Sequence, residues 1–296
     1  MDSKRAQSLL HPAPEAHRPV HPFLKWAGGK RSLLDDLLSV LPKRRISHYI
    51  EPFLGGGALF IELARRGRIE RATLADRNSE LTETWRAVRE APLRVARAFD
   101  TWPQDPDSYY RVRAIAPLTL DRWHRAARML YLNRNGFNGL YRLNRQGQFN
   151  VPYGAYKRPI ALDVDNLVAV SELLKCAHIV NADFEAVMAL AEPGDVVYCD
   201  PPYWPLSETS SFNAYDGCFF GPEDQARLAS TFKAVGDRLA YGVLSNSDTP
   251  ETRALYRGRR LRVRTVFAPR PINRNADGRQ RIAEILVTAG SRRVAR

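Results

Sequence analysis

The hydrophobic positions of the chain follow two alternating periods, which predict strands and helices in turn. Short, nearly continuous apolar runs are typical of buried parallel strands, and they lie at residues 48–50, 72–75, 179–183, 195–199, 241–246 and 281–287. Between them, apolar residues three or four positions apart predict amphipathic helices, at residues 32–38, 58–63, 78–109, 122–132 and 222–235. Strands that alternate with helices indicate an α/β fold with an open, doubly wound sheet.

A segment within residues 79–160 interrupts this alternation and predicts an inserted module. Residues 111–160 hold ten Lys or Arg side chains and one acid, Asp121, and their Asn-Gly and Gln-Gly turns predict a hairpin after a basic helix. Interleaved aromatic, Asn and Arg side chains are typical of a nucleic-acid-binding surface. We therefore expect a flexible arm over 1–20, a sheet domain over 21–78 and 161–296, and a mostly helical recognition insert over 79–160.

The composition narrows the choice of partner and compartment. A net charge of +13 favours nucleic acid over a membrane surface, because no basic amphipathic helix stands out. No apolar run reaches the length of a membrane span, and the N-terminus lacks a hydrophobic signal core. Cys176, Cys199 and Cys218 are too scattered for a disulfide framework or a zinc site. A cytoplasmic protein with reduced thiols and no membrane partner is expected.

A glycine-rich turn and a following acid indicate a site for an adenosine-containing ligand. The strand at 48–50 runs into the segment 55–57, which is all glycine, so that a ligand can approach the backbone at a helix N-terminus. Phe60 stands where a dinucleotide fingerprint requires glycine, which favours a smaller ligand. Asp76 ends the next strand, 19 residues after Gly57, in a position suited to a ribose diol.

Lys30 follows a second glycine-containing loop and is suited to pairing with a carboxylate or a phosphate. Leu24 and Arg31 stand where a nucleotide P-loop requires Gly and Ser or Thr, so that motif is excluded. A plain junction between a loop and a helix is the alternative.

The stretch Asp200-Pro201-Pro202-Tyr203 places chemistry at the end of a predicted buried strand. The two prolines end the strand because neither has an N–H to donate to the ladder. Asp200 then lies at the carboxyl edge of the sheet, where open α/β sheets bind ligands. A carboxylate, a rigid carbonyl and the ring of Tyr203 suit a flat heterocycle that carries an amino group. The alternative is an Asp-Pro turn followed by a core tyrosine.

Four blocks in order resemble the Dam-type DNA adenine-N6 methyltransferases, the D12 class. They are Phe23–Lys30, the glycine loop Glu51–Gly57, the recognition segment Asn133–Tyr156, and Asp200–Tyr203. The match covers roughly residues 21–290. The resemblance implies a Rossmann-like methyltransferase sheet, S-adenosylmethionine as the methyl donor, double-stranded DNA as the substrate and GATC as the target. It also implies a protein that acts at the bacterial or phage nucleoid. A monomer without a metal is expected.

The resemblance also assigns roles to individual residues. The donor would be bound by Trp26, Lys30, Phe53, Gly55, Gly57, Asp76, Asp183 and Asp200, and the target adenine would meet the catalytic residues Asp200, Pro201 and Tyr203. DNA would be contacted by Lys25, Arg134, Phe137, Asn138, Leu140, Arg142, Asn144, Asn150, Pro152 and Tyr156. Three positions depart from the family pattern, namely Phe137 for a tyrosine, Ala155 for a basic residue and Asn273 for a serine.

These residue types suit methylation of an adenine amino group. The lone pair of that amine is delocalised into the ring, and hydrogen bonds to Asp200 and to the Pro201 carbonyl would favour a tetrahedral nitrogen. No covalent intermediate and no metal are required. The target base must first leave the duplex, with Tyr203 stacking on it and Phe137 filling the vacated space.

Several other functions remain as alternatives at this stage. The most realistic is the same chemistry at a longer site that contains GAT, such as GATATC. Enzymes that methylate RNA or protein glutamine can share the sheet, but they more often carry Asn where this chain has Asp200. A non-catalytic DNA-binding protein would need the basic insert alone. A zinc deaminase is excluded because its His-x-Glu and Cys-x-x-Cys signature is absent.

Overall fold

The computed structural model describes residues 19–26, 28–156, 161–205, 220–268 and 282–290. Four features of the sequence analysis therefore lie outside the described residues. They are most of the predicted arm over 1–20, the start of the predicted last strand at 281, Cys218 and Asn273.

Seven strands in the described residues form one sheet in the order β3-β2-β1-β4-β5-β7-β6. Their bounds are β1 (Ile46–Glu51), β2 (Ile69–Asp76), β3 (Ala177–Asn181), β4 (Val196–Cys199), β5 (Tyr241–Ser247), β6 (Leu261–Ala268) and β7 (Ile282–Ala289). Neighbouring strands are parallel except that β7 runs antiparallel to β5 and to β6. The chain moves outward from β1 to β3 and returns to β4, so the strand order reverses between β1 and β4. The prediction of a doubly wound α/β fold is confirmed.

Ten helices in the described residues surround the sheet. They are α1 (Leu34–Val40), α2 (Ala58–Arg65), α3 (Ser79–Glu90), α4 (Pro92–Phe99), α5 (Pro106–Ala114), α6 (Arg122–Asn135), α7 (Val164–Leu173), α8 (Phe184–Met188), α9 (Pro222–Asp237) and α10 (Pro250–Leu255). Short 3-10 turns lie at Lys30–Leu33, Pro117–Thr119, Phe137–Gly139 and Leu174–Cys176. Within the described part of the chain, no helix is both long and apolar enough to cross a membrane.

The prediction that 78–109 is helical is confirmed, but the stretch is divided into α3, α4 and the start of α5. Pro92 and Pro106 occupy the first turns of α4 and α5, where a missing N–H is tolerated, but neither could continue a preceding helix. Asp105 caps α5 by accepting a hydrogen bond from the Ser108 N–H at 2.8 Å. Two prolines and a capping aspartate therefore divide this stretch into separate helices, although its apolar residues keep a helical spacing.

Strand β6 has no counterpart among the predicted strands. It lies at the edge of the sheet, and its first half alternates apolar residues with the exposed Arg262 and Arg264, the pattern of a half-exposed strand and not the continuous apolar run from which the other strands are predicted. By contrast, every residue of β4 and β5 is buried, and both were predicted from their apolar runs. A parallel strand that is buried on both faces has a nearly continuous apolar run, which can be recognised in the sequence.

The helices of the predicted insert share a hydrophobic core with the sheet. Leu74 of β2, Trp85 of α3, Tyr131 of α6 and Val151 of the recognition segment belong to one cluster of buried side chains. The expected hairpin is a short antiparallel pairing of Leu143 with Phe149. The boundaries of the insert stay a prediction.

Candidate active site and nucleic-acid interface

A cavity of about 590 Å³ opens at the carboxyl edge of the sheet, where β1 and β4 lie side by side. An open α/β sheet binds its ligand at such a reversal of strand order. The structure brings all the residues assigned to the donor and to catalysis into the wall of this one cavity, namely Trp26, Lys30, Phe53, Gly55, Gly57, Asp76, Asp183, Asp200, Pro201 and Tyr203. Segments far apart in the sequence thus form one site.

The glycine loop after β1 needs glycine at two positions. Gly55 and Gly57 have φ values of +46° and +61°, in the left-handed region that disfavours a side chain. A Cβ on Gly55 would lie 2.7 Å from Trp26 Cδ1, and one on Gly57 would lie 2.7 Å from Trp85 Cη2. The loop can therefore lie against the two indole rings and keep its backbone facing the cavity.

Asp76 is fixed at the end of β2 by backbone donors. Its Oδ2 accepts a hydrogen bond from the Gly55 N–H and its Oδ1 accepts one from the Asn78 N–H, both at 3.0 Å. The carboxylate thus joins the glycine loop to the start of α3, at the edge of the cavity. This is the position from which a carboxylate can meet a ribose diol.

An aromatic wall lies on the other side of the glycine loop. The Phe53 ring stacks on Phe184 at 5.4 Å, and Phe220 contacts both rings at 5.9 and 6.0 Å. Asp183 caps α8 and accepts hydrogen bonds at 3.1 Å from both terminal nitrogens of Arg227. Arg227, which sequence reasoning missed, also lies over the Phe184 ring at 4.4 Å. This wall is apolar with one charged rim, which suits a purine ring.

Asp200 is held through one of its two carboxylate oxygens. Lys30 Nζ lies 2.8 Å from Oδ1, and Ser245 Oγ donates to the same oxygen at 2.9 Å. Among the described residues, Oδ2 has no hydrogen-bond partner. Burial raises the pKa of Asp200 above its usual value, while Lys30 and Ser245 oppose that rise. The site thus presents an oriented carboxylate with one open oxygen.

Lys30 connects the parts of the site more closely than the sequence indicates. Its buried Nζ donates to the Gly28 carbonyl at 2.6 Å, pairs with Asp200 and lies 4.5 Å from the centre of the Tyr203 ring. The resemblance assigns Lys30 to the donor carboxylate, whereas the contacts seen here join it to the catalytic turn. The Lys30 ammonium thereby favours the ionised form of Asp200 and lies over the Tyr203 ring.

Tyr203 is fixed at its hydroxyl by a residue that sequence reasoning missed. The hydroxyl donates to Glu284 Oε2 of β7 at 2.6 Å, and burial raises the pKa of Glu284. A single acid in the apolar run 282–287 was the available signal, since an isolated carboxylate rarely lies in a buried strand without a partner. The Tyr203 ring therefore has a defined orientation in the wall of the cavity.

A second buried carboxyl lies under the cavity at the end of β1. Glu51 is 2% exposed, and the Tyr49 hydroxyl donates to its Oε2 at 2.9 Å. Burial raises the pKa of Glu51 well above its usual value, and the nearby charges of Asp200 and Asp76 add to the effect. Its position at the end of a strand, just before the glycine loop, was the signal in the sequence.

The tip of the recognition segment projects a ring and an amide. Phe137 is 49% exposed, and Asn138 is exposed with a φ of +55°. The Phe137 N–H donates to the Pro152 carbonyl at 2.9 Å, and the Tyr156 hydroxyl donates to the Gly136 carbonyl at 3.1 Å. The turn is therefore fixed at its base while its tip remains accessible.

The remaining polar residues of the segment mainly bond to the protein itself. Arg142 Nε donates to Asn150 Oδ1 at 2.7 Å, and Asn144 accepts from the N–H groups of residues 146 and 148. Arg134 donates to the carbonyls of Ala161 at 3.2 Å and Phe23 at 3.5 Å, so its guanidinium faces the protein backbone. Leu140 is half-buried and packs against the core. Contacts of these residues with DNA stay a prediction.

Lys25 and Trp26 join the cavity to the recognition segment. The Asn133 side chain bonds the Lys25 backbone at 2.8 and 2.7 Å and also donates to the Gly139 carbonyl at 2.9 Å. Lys25 Nζ lies 5.1 Å from the centre of the Tyr156 ring, and burial together with the charge of Arg134 lowers its pKa. The Trp26 ring stacks on Tyr141 at 5.6 Å. Lys25 and Trp26 therefore connect the cavity directly to the recognition segment.

Comparison with known proteins agrees with this geometry. Residues 26–268 match the family model of the D12 class N6 adenine-specific DNA methyltransferases. The chain is 38% identical over 277 residues to the Type II methyltransferase M1.LlaDCHI of Lactococcus lactis subsp. cremoris, covering 91% of this chain and 95% of that protein. It is 39% identical to the DNA adenine methylase of Vibrio cholerae and 38% identical to that of Escherichia coli K12, covering 89% of this chain and 94% and 93% of those proteins.

Proposed function

The chain belongs to the D12 class N6 adenine-specific DNA methyltransferases, and from this we propose that it transfers a methyl group from S-adenosylmethionine to N6 of the adenine in GATC. Site-specific methylation of adenine in DNA follows from the family itself. The donor, the target sequence and the role of each residue are the further content of the proposal. The observation that carries it is the Asp200 carboxylate, oriented through one oxygen at the wall of the cavity.

The cavity fits the proposed donor in size and in chemistry. Gly55 and Gly57 let the loop lie against the Trp26 and Trp85 rings, where a Cβ would clash. Asp76 presents an anchored carboxylate suited to a ribose, and Phe53 and Phe184 supply an aromatic wall suited to a purine. The volume of about 590 Å³ lies within the range of small-molecule sites. When bound, S-adenosylmethionine supplies an electrophilic methyl group on a sulfonium centre.

The catalytic turn would receive the target adenine. Asp200 Oδ2 and the Pro201 carbonyl accept hydrogen bonds from the amino group, which favours a localised lone pair on N6. Tyr203, held by Glu284, stacks against the ring. Lys30 and Ser245 oppose the rise in the pKa of Asp200, which keeps more of the carboxylate ionised and able to accept. The adenine must leave the duplex to reach this position.

The recognition segment supports double-stranded DNA as the partner and GATC as the site. Its exposed Phe137 ring is suited to entering the base stack that the adenine leaves. Arg142 would contact a guanine after exchanging its bond to Asn150, and Lys25 lies beside Tyr156 at the base of the segment. Relatives named DNA adenine methylase share most of the chain. We also propose that the enzyme acts as a monomer at the nucleoid.

The test is incorporation of labelled methyl groups from S-adenosylmethionine into duplexes that contain GATC, GTTC or GATATC. Wild type is compared with Asp200→Asn, which keeps the size of the side chain and removes the charge. Asp237→Asn on the exposed end of α9 is the matched control. We expect label on GATC duplexes alone, with loss in Asp200→Asn and no change in Asp237→Asn.

Other outcomes would correct separate parts of the proposal. Label on GATATC duplexes and not on GATC would keep the chemistry and overturn the target sequence. Label on every duplex, including GTTC, would overturn the recognition roles of the segment. Full activity of Asp200→Asn would overturn the role of its carboxylate.

A further inference from the structure

Two buried side-chain amides enclose the backbone around Tyr203. The Gln225 side chain on α9 donates from Nε2 to the Pro202 carbonyl at 2.8 Å. The Asn246 side chain on β5 accepts from the Trp204 N–H at 3.0 Å. These two backbone groups lie immediately before and after Tyr203. The turn is thus bonded on both sides of the residue proposed to stack on the adenine.

The two amides are also bonded to each other. Asn246 Nδ2 donates to Gln225 Oε1 at 3.0 Å, which completes a chain from the Trp204 N–H through both side chains to the Pro202 carbonyl. Asn246 is 0% exposed and Gln225 is 1% exposed. Because a backbone N–H can only donate and a carbonyl can only accept, the direction of every bond in this relay is fixed.

Neighbouring contacts hold the same turn from other directions. Ser247 Oγ donates to the Trp204 carbonyl at 2.8 Å, and the Tyr203 hydroxyl donates to Glu284. The backbone of Tyr203 is therefore held by β5 and α9, while the tip of its ring is held by β7. Neither Gln225 nor Asn246 lines the cavity.

We propose that Gln225 and Asn246 are positioning residues for methyl transfer, which hold the Pro202–Trp204 turn so that Tyr203 stacks on the target adenine. The inference rests on the proposed function of Asp200 and Tyr203. It adds two residues outside the cavity that act on the reaction through the turn. A displacement of about 1 Å at a reacting centre can lower a rate about a hundredfold, so a small shift of this turn is sufficient.

The first variants remove the hydrogen bonds of the Gln225 side chain and then restore them with a side chain that can be protonated. Gln225→Met keeps the volume of the side chain but leaves the Pro202 carbonyl and the Asn246 amide without their partner. Gln225→Glu restores both bonds only when its carboxyl is protonated, because the acid O–H can then donate to the Pro202 carbonyl while the other oxygen accepts. Phe232→Leu, buried on the same helix against Tyr256, is the matched control for a loss of packing.

Single-turnover methyl transfer, donor affinity and thermal unfolding are measured for each variant with GATC duplexes. A 2-aminopurine in place of the target adenine reports stacking through quenching of its fluorescence. For Gln225→Met we expect a transfer rate about tenfold to a hundredfold lower, weaker quenching and unchanged donor affinity. For Gln225→Glu, the rate relative to wild type should rise as the pH falls. Phe232→Leu should unfold at a lower temperature while its transfer rate and quenching stay as in wild type.

Combination with Tyr203→Ala separates positioning from a general structural effect. If the relay acts through Tyr203, Gln225→Met should lower the rate in the wild-type background and change it little in the Tyr203→Ala background. Equal losses in both backgrounds, or a Gln225→Met enzyme with wild-type rate and quenching, would overturn the inference. An inactive wild-type enzyme would instead overturn the proposed function, so the two failures are distinguishable.

Discussion

The cavity and the recognition segment use the same kinds of polar side chain in opposite ways. In the cavity, Asp200, Asp76 and Tyr203 are each fixed by partners from distant parts of the chain. In the recognition segment, Arg142 and Asn144 bond to residues within eight positions of themselves. Hydrogen bonds between distant segments fix the side-chain geometry of the cavity once the chain has folded. Local bonds on the surface can be exchanged for bonds to a partner without disturbing the fold.

This difference separates catalysis from recognition. A rigid, buried site presents its acceptors in place before the reacting group arrives, which is how enzymes limit reorganisation during the reaction. In the proposed function, DNA would replace the hydrogen bonds that the recognition segment makes within itself. Changes in the cavity should therefore alter the rate of methyl transfer, and changes in the segment should alter DNA affinity and sequence preference.

The largest effect is expected from Asp200→Asn. The variant loses the charged acceptor, and removal of one oriented polar group from an active site typically lowers kcat about 10²–10³-fold. Duplex affinity should stay close to that of wild type, because Asp200 lies in the cavity and away from the segment. Rapid-quench methylation and a gel-shift titration on GATC duplexes check both parts. A large fall in DNA affinity would contradict the separation.

Arg142→Ala is expected to have a smaller effect, on DNA affinity and sequence preference instead of on the transfer rate. Loss of a guanine contact should cost about 1–3 kcal/mol of binding and relax the preference for GATC. The transfer rate on saturating duplex should change little. Titration of GATC and GTTC duplexes measures the ratio of affinities, with exposed Arg145→Ala on the same turn as the control. An unchanged ratio would remove Arg142 from base recognition.

Phe137→Ala tests the coupling between the two regions. The ring is half-exposed, and its removal is expected to cost about 1 kcal/mol, at the lower end of aromatic stacking. The fluorescence of 2-aminopurine at the target position should report a smaller fraction of flipped-out base, while the affinity for the donor stays constant. Wild-type flipping in Phe137→Ala would show that another group fills the stack.

The smallest effect is expected from Ser245→Ala, and it should appear as a shift in pH dependence. The Ser245 hydroxyl bonds to the ionised form of Asp200 and lowers its pKa, so its removal raises that pKa. A smaller fraction of Asp200 is then ionised at low pH, and the acid limb of the rate profile moves to higher pH. Rates at high pH should approach those of wild type. Ser230→Ala, exposed on α9, should leave the profile unchanged.

The sequence predicts the residues of the cavity that stand next to a strand end or a glycine. Asp76, Asp200 and Gly55 follow buried strands, and parallel strands bring their carboxyl ends to one edge. Glu284, Ser245 and Arg227 lie inside a strand or a helix, where the sequence can mark a polar residue as unusual, as it does for Glu284, but does not identify its partner. Their partners in the cavity wall, Tyr203, Asp200 and Asp183, are 40 or more positions away, so only the folded chain reveals the pairing.

The sequence predicts the strands that are buried throughout and misses the partly exposed strand at the edge of the sheet. Strands β4 and β5 are buried on both faces and contain nearly continuous apolar runs, whereas β6 begins with alternating apolar and charged residues at the edge of the sheet. Pro92 and Pro106 mark helix starts that the spacing of apolar residues conceals. A local rule on proline was therefore more informative there than periodicity.

The closed base of the recognition segment has a consequence for how sequence preference can be altered. Gly136 pairs with Tyr153, and the Gly154 N–H donates to the Asn135 carbonyl at 2.8 Å, so the two ends of the segment meet. The helices beneath it share their core with the sheet and cannot be exchanged without rebuilding that core. Tyr141, Phe149 and Val151 belong to that same core, so the stretch from 136 to 156 cannot be exchanged as a unit without repacking it. Sequence preference is therefore expected to change through substitutions at exposed positions such as Phe137, Asn138 and Arg142, which leave the shared core intact.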